Sequence, residues 1–181
     1  SILNMLRAIS AFLFFVIASF PLFAQSVEFN QYTLGSGDTV KITVYGQDDL
    51  SLETRLNDVG VINYPYLGEI TVIGMTVGGL ESLIYEGLKG DYLINPSVSV
   101  SIIEYRPFFI NGEVKNPGGY AFQPGLTIDK AAALAGGYTE RASKTKIFVD
   151  RIVNGEQQTL SADRYMKVLP GDIINIEQSF F

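Results

Sequence analysis

The chain has 181 residues with 13 Lys and Arg against 19 Asp and Glu, and it contains no Cys and no His. This length allows one domain or two small ones with a buried core, while the missing residues exclude disulfides, thiolate nucleophiles, cysteine zinc sites and imidazole bases. The formal net charge of −6 argues against a nucleic-acid partner, because phosphate binding depends on Lys and Arg.

The N-terminal segment differs in composition from the rest of the chain. Eighteen of its first 24 residues are apolar and Arg7 is its only charge. A basic start, an apolar stretch over residues 8–20 and a small residue at Ala24 predict a signal peptide, residues 1–24, for export from the cytoplasm. The alternative is a membrane anchor, but Pro21 and Gln25 interrupt the run before the ~20 apolar residues that a span needs. Leu22, where a small residue is preferred, leaves open whether cleavage follows Ala24.

The remainder is rich in predicted strands. Residues 39–45 and 98–102 alternate between apolar and polar side chains, which predicts half-buried strands. Residues 147–153 and 173–176 are further strand candidates. Asn154-Gly155 predicts a tight hairpin turn with positive φ at both residues.

Two segments have helical spacing of apolar residues. Thr76 is predicted to cap a helix whose apolar face includes Leu83 and which ends near Gly90. Thr127 is predicted to cap a shorter helix closed by Gly136-Gly137, where glycine permits a left-handed turn. Both helices are expected to cover sheets.

A weak internal repeat relates the two halves of the chain. Residues 37–42 resemble residues 171–176, and residues 74–77 resemble residues 125–128. Each pair is explained by a turn, in which Gly-Asp precedes a strand or Gly-x-Thr precedes a helix. A boundary near Arg106-Pro107 then divides the chain into two small α+β units.

Motifs for phosphate, metal or catalytic chemistry are weak. Gly35–Asp38 lacks the spacing and the Lys of a phosphate-binding loop, so a tight turn is expected there. Glycoside hydrolysis needs two facing carboxyl groups, and no pattern brings two acids together. The sequence also lacks an Asp-x-Asp-x-Asp-Gly calcium loop. No catalytic, cofactor-binding or metal-binding residue is therefore predicted, and no cofactor.

Aromatic residues are numerous, with 12 Phe and 10 Tyr, and invite comparison with sugar-stacking surfaces. Core packing is the stronger expectation for those in strand-like positions. These are Phe108, Phe109, Tyr120 and Phe122. For Tyr64 and Tyr66, on either side of Pro65, core packing and sugar stacking both stay open.

Several separated runs, in order, resemble one known family. Residues 32–42, 60–70, 74–76 and 95–100 resemble the polysaccharide export domain of the Wza-type outer-membrane exporters. Residues 107–177 resemble the soluble-ligand-binding β-grasp (SLBB) repeat of that family. The matching runs there are residues 112–118, 135–143, Arg151 and 170–172. The resemblance implies an α+β fold of two small mixed sheet/helix domains after the signal peptide, at residues 25–106 and 107–181, the second β-grasp-like.

The resemblance also implies a function without covalent chemistry. Members of the family form oligomeric rings in the periplasm and outer membrane, through which capsular polysaccharide or exopolysaccharide leaves a Gram-negative cell. The implied partners are polysaccharide, other copies of the chain, a separate outer-membrane pore and an inner-membrane polysaccharide co-polymerase. A hydrated polymer that slides needs a wide polar lumen, which closed head-to-tail contacts of a small subunit provide.

Three departures from larger members shape the expectation. No Cys follows the signal to carry a lipid, a single SLBB-like unit implies a shorter ring stack, and no amphipathic helix precedes Phe181. We therefore expect a periplasmic ring associated with the outer membrane beneath a separate pore. The alternatives are a monomeric periplasmic module that binds a ligand or oligosaccharide and, less favoured, a polysaccharide-cleaving enzyme.

Nine residues in turns are candidate contacts between copies in the ring. They are Gly35, Gly37, Asp38, Gly112, Pro117, Gly136, Gly137, Gly171 and Asp172. Turns needed only for folding of each unit explain them equally well.

Overall fold

The computed structural model describes residues 32–180. The predicted signal peptide, residues 1–24, lies outside them. Among the described residues there are two α-helices, α1 at Val77–Leu88 and α2 at Ile128–Leu134, and a 3₁₀ turn at Asp48–Leu50. Neither helix of this part of the chain has the length and apolar content needed to cross a bilayer.

The first half of the described chain contains an antiparallel sheet, a separate hairpin and α1. Its strands are β1 (Thr39–Val44), β2 (Leu52–Arg55), β3 (Val61–Tyr64), β4 (Gly68–Thr71) and β5 (Val98–Glu104). The sheet has the order β2-β1-β5, and β3 and β4 form the hairpin. Val40, Ile42 and Val44 of β1 are buried, which confirms the predicted alternation.

Helix α1 begins where the sequence predicted. The Thr76 hydroxyl accepts a hydrogen bond from the Gly79 amide at 3.0 Å, which satisfies one of the free donors of the first turn. Leu80, Ile84 and Leu88 are buried. Leu83 was predicted on the same face but is 37% exposed, because it lies at the margin of the apolar stripe.

The second half forms one mixed sheet around α2. Its strands are β6 (Phe108–Gly112), β7 (Gly118–Tyr120), β8 (Ala142–Val153), β9 (Glu156–Ala162) and β10 (Ile173–Gln178). The order is β7-β6-β10-β8-β9, with β6 and β10 parallel and the other pairs antiparallel. Asn154 and Gly155 have φ of 53° and 82°, which confirms the hairpin turn between β8 and β9.

Each half has its own cluster of buried apolar side chains, one under β1, the β3–β4 hairpin and α1, the other between the five-stranded sheet and α2. The predicted α+β class is therefore confirmed. Phe108 and Phe122 are buried and Tyr120 packs against the core, as predicted. The prediction was wrong for Phe109, which is 44% exposed, because successive residues of β6 point to opposite faces of the sheet.

Candidate functional site: two Gly-Asp turns and their surroundings

The first Gly-Asp turn holds a buried carboxylate, Asp38, whose side chain is fully excluded from solvent. Asp38 accepts hydrogen bonds from the Gly35 amide at 2.9 Å and from the Tyr32 hydroxyl at 2.8 Å. It also accepts from the Arg106 amide at 2.7 Å and from the Arg106 guanidinium at 3.2 Å. Gly37, with φ of 93°, provides the left-handed backbone that this turn requires. The charge is thus neutralised and its oxygens are satisfied.

The second Gly-Asp turn repeats this arrangement at the start of β10. Asp172 is 1% exposed and accepts from the Leu169 amide, three residues earlier, at 2.7 Å. Arg151 donates two hydrogen bonds to it, at 2.9 and 2.7 Å. Gly171 has φ of 82°. Each turn therefore pairs a left-handed glycine with a buried Asp and an Arg.

The weak sequence repeat corresponds to a shared local structure in opposite chain order. In the first half the Gly-Asp turn precedes the helix cap, and in the second half it follows the cap. The hydrogen bonds between the two segments nevertheless correspond. The Leu34 amide donates to Met75 at 2.8 Å, and the Val168 amide donates to Leu126 at 2.9 Å. The two halves thus each hold a buried aspartate in a turn that is joined to a helix cap by the corresponding backbone hydrogen bond.

Arg106 lies between the two turns. A Cβ on Gly35 would overlap its guanidinium, and a Cβ on Gly171 would lie 2.8 Å from its Nε. The Gly171 amide also donates to the Pro107 carbonyl at 3.1 Å. A side chain at either position would displace the Arg106 side chain, which bonds Asp38.

Aromatic rings extend this junction on one side. Tyr105 contacts Tyr32 of the first half and Phe122 of the second edge-to-face, with ring centroids 5.4 and 5.3 Å apart. The Arg106 guanidinium lies 5.2 Å from the Tyr32 ring. Burial, together with the hydrogen bond to Asp38, raises the pKa of Tyr32 well above its ordinary value, although the Arg106 charge acts in the opposite direction. We name Tyr32, Asp38, Tyr105, Arg106 and Phe122 the junction cluster.

The remaining predicted turn residues lie elsewhere in the second half of the described chain. Gly136 and Gly137 have φ of 84° and 93°, and the Gly137 carbonyl accepts from the Lys115 amide at 3.0 Å. Gly112, with φ of 84°, faces β10 so closely that a Cβ would overlap the Ile176 carbonyl oxygen. Pro117 is exposed and leads into β7. This group is separate in the fold from the pair of Gly-Asp turns.

A cleft of about 400 Å³ lies beside the start of β8, lined by Tyr138, Ser143, Lys144 and Arg164 among others. Asp129 accepts from Tyr138 at 3.0 Å and from Arg164 at 2.6 Å. The Arg164 hydrogen bond lowers the pKa of Asp129, whereas burial and the hydrogen bond to Asp129 raise the pKa of Tyr138 to about 12. Two of the polar side chains that line the cleft, Tyr138 and Arg164, are thus both held by Asp129.

The two tyrosines left open by the sequence have different environments. Tyr64 is 1% exposed and donates from its hydroxyl to the Leu50 carbonyl, so it belongs to the core. Tyr66 is 66% exposed and has φ of 64°, a conformation that costs about 1–2 kcal/mol for a residue with a Cβ. Its ring stacks on Tyr92 with centroids 4.6 Å apart and planes 25° apart.

Sequence reasoning missed Arg106 and Tyr92. A signal for Arg106 was present, since a buried Asp requires a cationic or hydrogen-bonding partner and Arg151 already stood among the matched residues of the second half. Tyr92 follows a helix end and has no periodic pattern of its own. No local signal links it to Tyr66.

Comparison with known proteins identifies the relatives of this chain. Residues 27–103 match the family model described as polysaccharide biosynthesis/export protein, and residues 107–160 match the SLBB domain model. The chain belongs to the polysaccharide export family. The two matched segments lie on either side of Arg106 in the sequence.

Three relatives illustrate the similarity. The chain is 34% identical to the exopolysaccharide production protein ExoF of Rhizobium meliloti over 58% of its length and 26% of the relative. It is 27% identical to the EPS I polysaccharide export outer membrane protein EpsA of Ralstonia nicotianae over 87% of its length and 49% of the relative. It is 30% identical to the polysialic acid transport protein KpsD of Escherichia coli over 70% of its length and 23% of the relative. The chain spans less than half the length of each.

Proposed function

We propose that this chain is a non-enzymatic subunit of an oligomeric ring in the periplasm, associated with the outer membrane, that conducts exopolysaccharide or capsular polysaccharide out of the cell. The observation that carries the proposal is the consecutive match to the export and SLBB models along one chain. The names of the relatives, which describe polysaccharide export and transport, agree with it. The two domains meet between residues 106 and 107.

The junction cluster supports a role in assembly. Subunits close into a ring only if each holds a fixed angle between its contact surfaces. Asp38 and Arg106 tie the first half to the turn that carries Gly171, and Tyr105 contacts rings from both halves. Such contacts hold the two halves in one orientation. The predicted residues of the two Gly-Asp turns would act in the ring mainly through this rigidity. They are Gly35, Gly37, Asp38, Gly171 and Asp172.

The state of the buried carboxylates supports a function without catalysis. Among the described residues, Asp38 and Asp172 are the buried acids, and each is ion-paired to an arginine. A general acid or base must reach the substrate or a water molecule. An ion-paired carboxylate that is excluded from solvent has no such access. We therefore propose that the chain transports the polymer without cleaving it, as expected from the sequence.

Partners follow from the same proposal. The chain would contact polysaccharide, further copies of itself, a separate outer-membrane pore and an inner-membrane polysaccharide co-polymerase. The net charge of the chain is −6. A positively charged subunit would hold an acidic polymer in place, whereas an acidic subunit lets a hydrated polymer slide past without being retained.

The test combines assembly with export. The chain is purified from the envelope of the producing cells, and its mass is measured under native conditions beside fractionation of periplasm and outer membrane. A closed oligomer and polymer trapped inside a deletion strain are expected. A monomer at physiological concentration together with normal export in the deletion strain would refute the proposal.

The second candidate is a monomeric module that binds a small ligand or oligosaccharide. The cleft beside Tyr138 and Arg164 favours it, since it is concave and has polar groups at its wall. The same purified material discriminates between the two, because the module would be monomeric and its deletion would leave polymer export intact.

A further inference from the structure

The exposed pair Tyr66 and Tyr92 has no role in either core. The two rings stack with centroids 4.6 Å apart, and both side chains remain largely in water, at 66% and 47% exposure. We propose that this stacked pair is a platform that binds a polysaccharide, with the apolar face of a sugar ring packed on an outward face of the pair. The inference rests on the proposed function, and it names the surface of this chain that contacts the polymer.

The backbone conformation at Tyr66 disfavours tyrosine, so folding alone does not explain an aromatic ring at this position. Its φ of 64° lies in the left-handed region that glycine and asparagine tolerate better than tyrosine. Most of the ring is exposed, so burial does not offset this preference. A strained residue with an exposed side chain is typical of functional positions.

Rigid anchors hold both rings in place. On the hairpin, Leu67 packs so closely on α1 that a Cβ at Gly87 would lie 2.8 Å from its Cδ1. After α1, the Tyr92 amide donates to the Leu88 carbonyl at 3.2 Å. The platform is therefore preorganised, and binding orders little further chain.

The surroundings favour a sugar over a second protein. A stable protein contact needs about 800 Å² from each partner with an apolar centre, and two stacked rings provide much less. Exposed polar residues with hydrogen-bond donors and acceptors lie near the two tyrosines in sequence, together with one exposed apolar residue, Ile94. The polar residues are Asn63, Lys89, Asp91 and Asn95. A flat apolar surface bordered by hydrogen-bonding groups matches a pyranose, which has apolar faces and a rim of hydroxyls.

The experiment measures binding of cellohexaose, whose equatorial hydroxyls leave both ring faces apolar, to the purified full chain by NMR titration of the tyrosine ring signals. Polyethylene glycol serves as the control polymer. Tyr66→Asn removes the ring while relieving the backbone, and Tyr92→Ala removes the other ring. Tyr66→Phe keeps the stacking face, and Tyr45→Ala removes a tyrosine of similar exposure, 65%, outside the pair.

We expect the affinity for cellohexaose to fall about two- to tenfold for each ring removed, with little change in Tyr66→Phe and Tyr45→Ala. Equal affinity in wild type and Tyr66→Asn, or no binding by wild type at millimolar cellohexaose, would overturn the proposal. A smaller native mass in Tyr66→Asn with unchanged sugar affinity would also overturn it, because the pair would then be a contact between copies.

Export in cells separates this inference from the proposed function. If the deletion strain still exports polymer, the proposed function fails whatever the titration shows. If deletion traps polymer but the two tyrosine variants bind cellohexaose as wild type does, only the platform is wrong.

Discussion

Removal of the charge on Asp38 is expected to cost more stability than any exposed ion pair. In Asp38→Asn, an amide NH₂ replaces the oxygen that accepts from Gly35 and from the Arg106 guanidinium, at 2.9 and 3.2 Å. The new NH₂ group is itself a donor, and it would face two other donors, the Gly35 amide and the Arg106 guanidinium. Breaking a buried ion pair from one side costs about 3–5 kcal/mol, and hydrogen bonds to charged groups contribute about 1.5–3 kcal/mol each.

The expected loss for Asp38→Asn is therefore about 3–5 kcal/mol. The Arg106 side chain is 25% exposed and Asp38 is 0% exposed, so solvent relieves only part of the loss. Because whole domains are stable by about 5–15 kcal/mol, the variant should unfold at much lower urea. The measurement is equilibrium urea unfolding followed by far-UV circular dichroism, with the slope compared to exclude a change in the unfolded state.

Two matched variants complete this test. Asp172→Asn should lose a similar amount, since Asp172 and Arg151 are 1% and 16% exposed. Asp129→Asn should lose only about 1 kcal/mol, since Asp129 and Arg164 are 31% and 49% exposed.

A double variant separates the ion pair from other effects of the substitution. Asp38→Asn combined with Arg106→Met should cost less than the sum of the two single changes, by about 1–3 kcal/mol. The reasoning would be refuted if Asp38→Asn lay within about 1 kcal/mol of wild type, or if the two single losses were additive.

Three further changes test other parts of the structure. Gly112→Ala places a methyl group against the Ile176 carbonyl oxygen and should lower the free energy of unfolding by about 3 kcal/mol or more in the same urea assay. Gly155→Ala is the control, because Gly155 also has a positive φ, 82°, but faces open space, and it should lose only about 1–2 kcal/mol. Equal losses would contradict the packing argument. The pKa of Tyr32 is raised in the folded chain, so its contribution to the free energy of unfolding is complete below the unfolded pKa of about 10 and is lost as the pH rises above that value. When unfolding is measured over a pH series, the stability of Tyr32→Phe should therefore decline less steeply at alkaline pH than that of wild type. Tyr66→Gly should stay within about 1 kcal/mol of wild type in thermal unfolding, because relief of the left-handed backbone offsets the lost ring stack; a much larger loss would mean that the pair holds the fold.

The local elements of this protein were predictable because their causes are local. Alternation in β1, the Thr76 and Thr127 caps and the Asn154 turn depend on neighbouring residues only. The correspondence between the two Gly-Asp segments was also visible, since each turn needs glycine followed by a residue that can bond its own backbone.

The sequence by itself determined an acidic α+β chain with two related halves and no motif for catalysis. Only the tertiary structure decided which face of β6 carries Phe109, which arginine neutralises Asp38 and which tyrosine meets Tyr66. Arg106 lies 68 residues from Asp38 along the chain, and the tyrosine pair joins a hairpin tip to the segment after α1. Contacts over such separations depend on how sheets and helices pack, and no local pattern of residues encodes them.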